Sequence, residues 1–334
     1  MSETLSAERR RAMLRTAMGP GIAAALSDPA VIEIMVNPDG MLRLDRLGEG
    51  RIETGTRYDP AQIERIIRLV ASHARSEAHA SAPIISAELP PHGEGAGERF
   101  EGVLPPVSLA PCFSIRKPAA RIYTLLDYVS DGIMPAETAR LLGQAVVERK
   151  NILVAGGTSS GKTTLANALL AEMAHLDERV LIIEDTRELQ CAATDVVALR
   201  TRSVGPSGVG AVTMADLVRS TLRLRPDRII VGEVRGREAL DMLKAWNTGH
   251  PGGIATVHAN SAIAALYRLE QLVQESVVTV PRRLIAEAID MIVFISGRGL
   301  GRRVDTIARV GGLDPDGNYA VLDLTPDTTT SKGE

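Results

Sequence analysis

The sequence predicts an α/β protein: a C-terminal domain on a mostly parallel sheet, preceded by a smaller α+β domain. Three observations predict it. From residue 137 onward, short apolar runs alternate with stretches of helical period, as strands joined by crossover helices do. One such run, Asn151-Ile152-Leu153-Val154-Ala155, opens into a glycine loop and then into Thr164-Leu165-Ala166-Asn167-Ala168-Leu169-Leu170, a strand–loop–helix unit. Ahead of these, the chain shows hairpin signals around a single amphipathic helix. A length of 334 residues fits about two domains, each able to bury its own core.

The elements follow in order. Residues 5–27 read as two short helices broken at Gly19-Pro20-Gly21. Residues 31–36 and 41–45 flank Asn37-Pro38-Asp39-Gly40 and read as a β-hairpin. Asp59-Pro60 starts a helix, a cap residue followed by proline at the first helical position, and Ile63, Ile66, Ile67 and Val70 then form one apolar stripe. Short strands are expected at 83–89, 99–104 and 112–116, with a flexible glycine loop at 93–97. This α+β domain is expected over 1–128, with a turn-rich linker at 129–136. Beyond it, helix 137–150, strand 151–155, the helix after the glycine loop, strand 180–184 and helix 213–224 succeed one another. Strand 228–231, helix 237–246, strand 254–257 and helix 261–273 complete the alternation, in a domain placed at 137–325. The polar tail, 326–334, is expected to be disordered.

Composition narrows the function classes. Apolar content of 45% with interspersed charges is that of a globular protein, and a net charge of −3 gives no global reason to expect nucleic-acid binding. Cys112 and Cys191 stand far apart, match no metal-ligand spacing and read as buried free thiols. No apolar run is long enough to span a bilayer, and the first residues lack the pattern of a signal peptide, so a cytoplasmic location is expected.

The glycine loop carries the chemistry. Gly156-Gly157-Thr158-Ser159-Ser160-Gly161-Lys162-Thr163 fits the phosphate-loop pattern G-x-x-x-x-G-K-[ST], in the strand-to-helix context that the pattern requires. Glycines let backbone N–H groups turn toward phosphate oxygens without a Cβ in the way, and the helix start adds partial positive charge. Lys162 is suited to the β- and γ-phosphates of ATP and the Thr163 hydroxyl to Mg²⁺, with Thr164 following in the first helical turn.

Further segments fit phosphoryl transfer. The run 180–188 delivers Glu184 and Asp185 at the end of an apolar strand, a place for a metal-bound phosphate or an attacking water; capping of a helix after the strand is the equally weighted structural alternative. Leu224-Arg225-Pro226-Asp227-Arg228-Ile229-Ile230-Val231-Gly232-Glu233 resembles a Walker B segment, with Gly232 where aspartate usually stands and Glu233 as the acid that polarises water or metal. His258 ends a strand among small residues, suited to sensing the γ-phosphate; His250 has less to recommend it. Arg99, Arg116, Arg219, Arg223, Arg225 and Arg235 are candidate phosphate ligands, of which Arg99 and Arg116 belong to the first domain.

The order of phosphate loop, Ile-Glu-Asp strand, Arg-Pro-Asp-Arg-Ile-Ile-Val-Gly-Glu-Val-Arg-Gly and Gly-His-x-Gly-x-x-x-Thr-x-His-Ala resembles the type II/type IV secretion ATPases over about residues 20–325. The runs 99–106 and 113–118 are similar to the conjugative-transfer ATPases of the TrbB type. The resemblance implies a RecA-like P-loop domain and a cytoplasmic homo-hexamer docked peripherally on inner-membrane components of a secretion or conjugation channel. It also implies a first domain that swings over the nucleotide. By motif it assigns Lys162 and Thr163 to phosphate and Mg²⁺, Glu184 and Glu233 to metal and water, His258 to coupling, and Arg99 and Arg116 to completing the site. Type II exporter ATPases usually carry a four-cysteine zinc insert, which two separated cysteines cannot form. Pilus-retraction motors carry an Ala-Ile-Arg-Asn-Leu-like motif, which residues 281–287 do not match. Both absences favour conjugation or a related type IV system. The alternatives are a pilus or type II secretion motor and a nucleotide-gated scaffold with little hydrolysis; a DNA-translocating motor, like sequence-specific nucleic-acid binding, is disfavoured by the charge.

Overall fold

The computed structural model describes residues 2–74, 76–90, 97–118, 121–202 and 210–326. The helices and strands gather into two compact units, each with its own core.

The first unit runs α1 (Ser2–Ser27), β1 (Val31–Val36), β2 (Met41–Arg46), β3 (Gly50–Arg57), α2 (Pro60–His73), β4 (Ile84–Glu88), β5 (Arg99–Val103) and β6 (Cys112–Arg116). The expected break at Gly19-Pro20-Gly21 is a kink within α1, with Gly19 at φ 77°. The hairpin turn depends on Gly40 at φ 76°, where a Cβ would lie 2.3 Å from the Tyr58 carbonyl oxygen. Asp59 caps α2 in a capping box with Gln62, and Pro60 opens the helix as expected.

Six strands form one antiparallel sheet in the order β3-β2-β1-β6-β5-β4. Register aligns Ala87, Phe100, Ile115, Ile34, Leu44 and Ile52 in one row across it. That row packs with Met18 and Ile22 of α1 and Ile63, Ile66 and Ile67 of α2. The neighbouring row alternates to the other face and is charged throughout: Glu88, Arg99, Arg116, Glu33, Asp45 and Arg51. Strand β3 was not foreseen, because its residues are mostly exposed and polar and give no apolar alternation.

The second unit begins with α3 (Leu125–Ser130) and α4 (Ala136–Val147). The stretch expected as a linker is the end of α3 and its turn into α4; Leu125, Tyr128 and Met134 are buried in this unit's core. Then come β7 (Ile152–Gly156), α5 (Lys162–Ala171), β8 (Arg179–Glu184), β9 (Asp195–Arg200), α6 (Met214–Thr221), β10 (Arg228–Val231), α7 (Glu238–Asn247) and β11 (Ile254–His258). The unit closes with α8 (Ala262–Gln274), α9 (Arg282–Ala288), β12 (Met291–Ser296), β13 (Arg303–Leu313) and β14 (Tyr319–Asp323).

Eight strands lie in the order β14-β13-β12-β7-β11-β10-β8-β9. Every pairing from β12 to β9 is parallel, and β13 and β14 add an antiparallel edge. The central strands β7, β8, β10 and β11 are buried on both faces. Ile152, Val154, Val180, Ile182 and Ile230 pack with α3, α4 and α5, whereas Leu153, Ala155, Ile229 and Val231 pack with α6 to α9. Each such side chain contributes about 1.5–3 kcal/mol relative to leaving it in water.

Strands β9, β12, β13 and β14 and helix α9 add to the expected elements. Strand β12 is apolar for most of its length and buried beside β7, a legible signal; β9 and β14 are half-exposed edges with little pattern. Among the described residues no helix is long and apolar enough to cross a membrane. The loop expected at 93–97 falls largely, and the tail expected at 326–334 almost wholly, outside the described residues.

Candidate active site

Parallel strands bring their carboxyl ends to one edge of the sheet, where crevices form. Here β7 ends at Gly156 and α5 begins at Lys162, with the loop between them at that edge. Backbone geometry explains the glycines. A Cβ on Gly156 would lie 2.4 Å from the Ile295 carbonyl oxygen and 2.5 Å from Ser160 Oγ. Gly161 caps α5 at φ 98° and Ser159 sits at φ 61°, so the loop folds back upon itself after Gly157 and Thr158. Thr163 and Thr164 fall in the first turn of α5, where backbone N–H groups lack intrahelical partners.

Lys162 is nearly buried, and its Nζ donates to the Gly156 carbonyl at 3.1 Å and the Gly157 carbonyl at 2.9 Å. The same Nζ lies 3.3 Å from Nδ1 of His258, the last residue of β11. Glu233, two residues beyond β10, completes the group: its Oε1 is 3.0 Å from His258 Nε2, while its Oε2 accepts from Arg235. The His258 contact is close but misaligned for hydrogen bonding, so Oε1 is buried without a hydrogen-bond partner, and so is Ser160 Oγ.

Electrostatics assign protonation. Burial works against ionised Glu233, but the hydrogen bond and charge of Arg235, with the charges of His258 and Lys162, hold its carboxyl below the usual range. Burial and the Lys162 charge hold His258 below the usual imidazole range, against the opposing pull of Glu233. At neutral pH the site therefore pairs a Glu233 carboxylate with a neutral His258 imidazole.

Glu184 ends β8, and burial pushes its carboxyl up to about 7. Its Oε1 accepts the backbone N–H of Glu188 at 2.9 Å and of Leu189 at 2.8 Å. No helix follows β8, so these bonds do not cap one, the alternative weighed for this residue; they hold the carboxylate against the irregular segment between β8 and β9. Gly232 leaves the room Glu184 fills: a Cβ there would lie 2.9 Å from Glu184 Cγ.

Arg99 and Arg116 belong to the first unit, directly opposed on β5 and β6. Arg219 of α6 pairs with Asp241 of α7 at 3.0 Å, and His250 Nδ1 lies 3.3 Å from the Ala245 carbonyl oxygen in the last turn of α7. Two side chains escaped notice in the sequence. Arg302 follows a glycine turn and packs on Gly161, with its Nε buried and unbonded; no motif marks it. Asn167 is buried in α5, and the signal available was a polar residue at a core position of an otherwise apolar helix.

Among the described residues no cluster of three His, Cys, Asp or Glu could hold a metal alone. The orphaned Ser160 Oγ and Glu233 Oε1, the first-turn N–H groups of α5 and the Lys162 Nζ are of the donor and acceptor types that a Mg²⁺-bound triphosphate and a water require.

Residues 68–304 match the family described as type II/IV secretion system protein. The chain belongs to that family. A conjugal transfer protein TrbB of Rhizobium radiobacter is 47% identical over 314 residues, covering 93% of this chain and 94% of that protein. The type IV secretion system protein PtlH of Bordetella pertussis is 36% identical over 324 residues, covering 86% of this chain and 93% of that protein. Among solved structures, the ATPase DotB of Legionella pneumophila aligns with a TM-score of 0.57 at 18% identity, over 90% of this chain and 78% of that one, which speaks for a shared fold. The secretion-family match spans the second half of the first unit and most of the second, including the phosphate loop, Glu184, Glu233 and His258.

Proposed function

We propose that this secretion-family protein is a Mg²⁺-dependent ATPase that powers a conjugative or related type IV secretion apparatus, in pilus assembly or DNA–protein export. The observation that carries the reading is the convergence on the His258 ring, at the end of β11, of Lys162 from the start of α5 and Glu233 from beyond β10, at 3.3 Å and 3.0 Å. The relatives named for conjugal transfer and type IV secretion supply the biological setting.

The second unit is a RecA-like P-loop domain in this reading. Loop N–H groups from Gly157 to Thr164 bind the phosphates, and Lys162 leaves the Gly156 and Gly157 carbonyls to reach the β- and γ-oxygens. Thr163 would hold Mg²⁺ directly, with Glu184 and Glu233 acting through water; the ion supplies charge neutralisation at the β- and γ-phosphates. Glu233, an anion with a free oxygen, orients the attacking water and draws its proton. His258, touching both Lys162 and Glu233, reports γ-phosphate occupancy to the strand end. Arg99 and Arg116 complete the site from the first domain, which covers the nucleotide and takes part in ring assembly. The ring is a homo-hexamer, held in the cytoplasm against inner-membrane channel components.

ATP turnover measured against protein concentration, with mass by light scattering on the same samples, tests this reading. Activity that rises as hexamers form supports it. Full activity in a monomer removes the ring mechanism, and absence of Mg²⁺-dependent turnover at every mass removes the ATPase.

A further inference from the structure

Asn167 is only 2% exposed, inside a helix whose other buried positions beyond Lys162 are apolar. An amide there is costly on two counts: asparagine is a poor helix former, and a buried polar group must find partners. Asn167 finds them outside its own helix. Its Nδ2 donates to the Glu188 carbonyl at 3.1 Å, and its Oδ1 accepts the Gln190 N–H at 2.9 Å. One planar amide thus grips the backbone on both sides of Leu189. The N–H groups of Glu188 and Leu189, in the same short segment, are the ones that hold Glu184 Oε1. On the helical side, Asn167 stands four residues after Thr163 and therefore on the same face, one turn further along.

We propose that Asn167 is a positioning residue that, by tying α5 to the 188–190 backbone, fixes the Glu184 carboxylate relative to the Thr163 hydroxyl on the same helix face. The inference rests on the ATPase reading, in which those two groups serve the metal–phosphate complex. An apolar residue of similar size would pack α5 equally well but would leave the segment after β8 tied to the helix by packing alone. The carboxylate would then be held by N–H groups that are themselves unanchored. Residues that orient a metal-binding group are typically worth about 10- to 100-fold in activity or metal affinity.

The test is a double-mutant cycle with Asn167→Ala and Glu184→Gln in the full-length protein, together with hydrogen exchange in nucleotide-free protein. Asn167→Ala is expected to lower kcat about 10-fold or more while KM for ATP stays within about twofold. The double variant should be no slower than Glu184→Gln alone. Amide exchange should accelerate in the peptide spanning 184–190 and stay unchanged in the other strands. Asn167→Asp, which keeps the acceptor for the Gln190 N–H and loses the donor, should recover part of kcat and part of the protection. Additive losses in the cycle, or unaltered 184–190 exchange in a slowed enzyme, overturn the proposal. If Asn167→Ala fails to fold, the same comparisons are made with Asn167→Asp, and a wild-type kcat with unaltered exchange there overturns it equally. A wild-type protein with no ATP turnover would instead overturn the ATPase reading; exchange would still report whether the tether exists.

Discussion

Glu233 Oε1 lies 3.0 Å from His258 Nε2 yet has no hydrogen-bond partner, while the other oxygen of the same carboxylate is held by Arg235. An anion clamped at one oxygen and bare at the other, behind a neutral imidazole, is placed to take a water. Glu233→Gln preserves shape and removes the base, so turnover is expected to fall by about 10²-fold or more with ATP affinity retained. His258→Ala leaves the carboxylate and is expected to cost less, mainly in the concentration dependence of turnover. Single-turnover hydrolysis alongside fluorescent-nucleotide binding separates the two. Equal losses of binding and turnover in Glu233→Gln would assign that residue to ground-state binding alone.

Lys162 donates to the carbonyls of its own loop. Bonds from a charged donor are worth about 1.5–3 kcal/mol each, offset by the cost of burying the Lys162 side chain, and α5 is anchored independently by Leu165, Leu169 and Leu170. Lys162→Ala should therefore keep its circular dichroism spectrum and melt within a few °C of wild type, while turnover falls below about a tenth of wild type. A variant retaining more than that would detach catalysis from the phosphate loop.

The phosphate loop, β7, β8, β10, β11 and the helices between them were legible because each signal is local: a glycine pattern, an apolar run, a cap. Asp59 and Thr213 announce their helices through the same capping chemistry the structure displays. What escaped is what depends on partners distant in sequence. Strand β3 is polar because it is a sheet edge, and nothing in Gly50–Arg57 announces its pairing with β2. Gly232 could be read as a departure from an aspartate, but only the fold reveals that its missing Cβ makes room for Glu184. Asn167 likewise gains meaning only once the segment after β8 is seen lying across α5.

That packing makes a prediction. Gly232→Ala places a methyl 2.9 Å from Glu184 Cγ, inside contact distance. The acidic side chain must shift, and its two backbone hydrogen bonds with it. Melting should drop by a few °C, consistent with about 1–3 kcal/mol for overpacking, and turnover should fall with it. Glu184→Ala in the Gly232→Ala background should restore the melting point in part, because the methyl then has space. No restoration would locate the strain elsewhere.

Glu184 also links stability to pH. Burial raises its folded value to about 7 from the ordinary glutamate value of 4.5, so the folded state binds its proton more tightly than the unfolded one. The stabilisation is fully present below pH 4.5 and is lost as pH rises through about 7. Glu184→Gln keeps the acceptor for the Glu188 and Leu189 N–H groups and cannot ionise. Measured without Mg²⁺ or nucleotide, the melting point of this variant should exceed wild type by a few °C at pH 8 and converge with it near pH 5. A constant difference across that window would mean that the carboxyl does not titrate there.

Arg99 and Arg116 face each other across β5 and β6 in a row flanked by Glu88 and Glu33. Directly opposed like charges cost a sheet about 0.2–1 kcal/mol, and the flanking carboxylates offset part of this. The apolar row beneath, with Phe100 and Ile115 fully buried, carries the stability of the first unit. The two guanidinium groups lie outside that apolar row, and each is of the type that binds phosphate oxygens bidentately. Arg99→Ala and Arg116→Ala should each melt within a few °C of wild type and lower turnover by about 10²-fold or more if they stabilise the transferring phosphoryl group. Lysine at either position keeps the charge but not the bidentate geometry and should recover only a minor part. Unchanged turnover with a lowered melting point would make the pair part of the sheet and leave completion of the site to other residues.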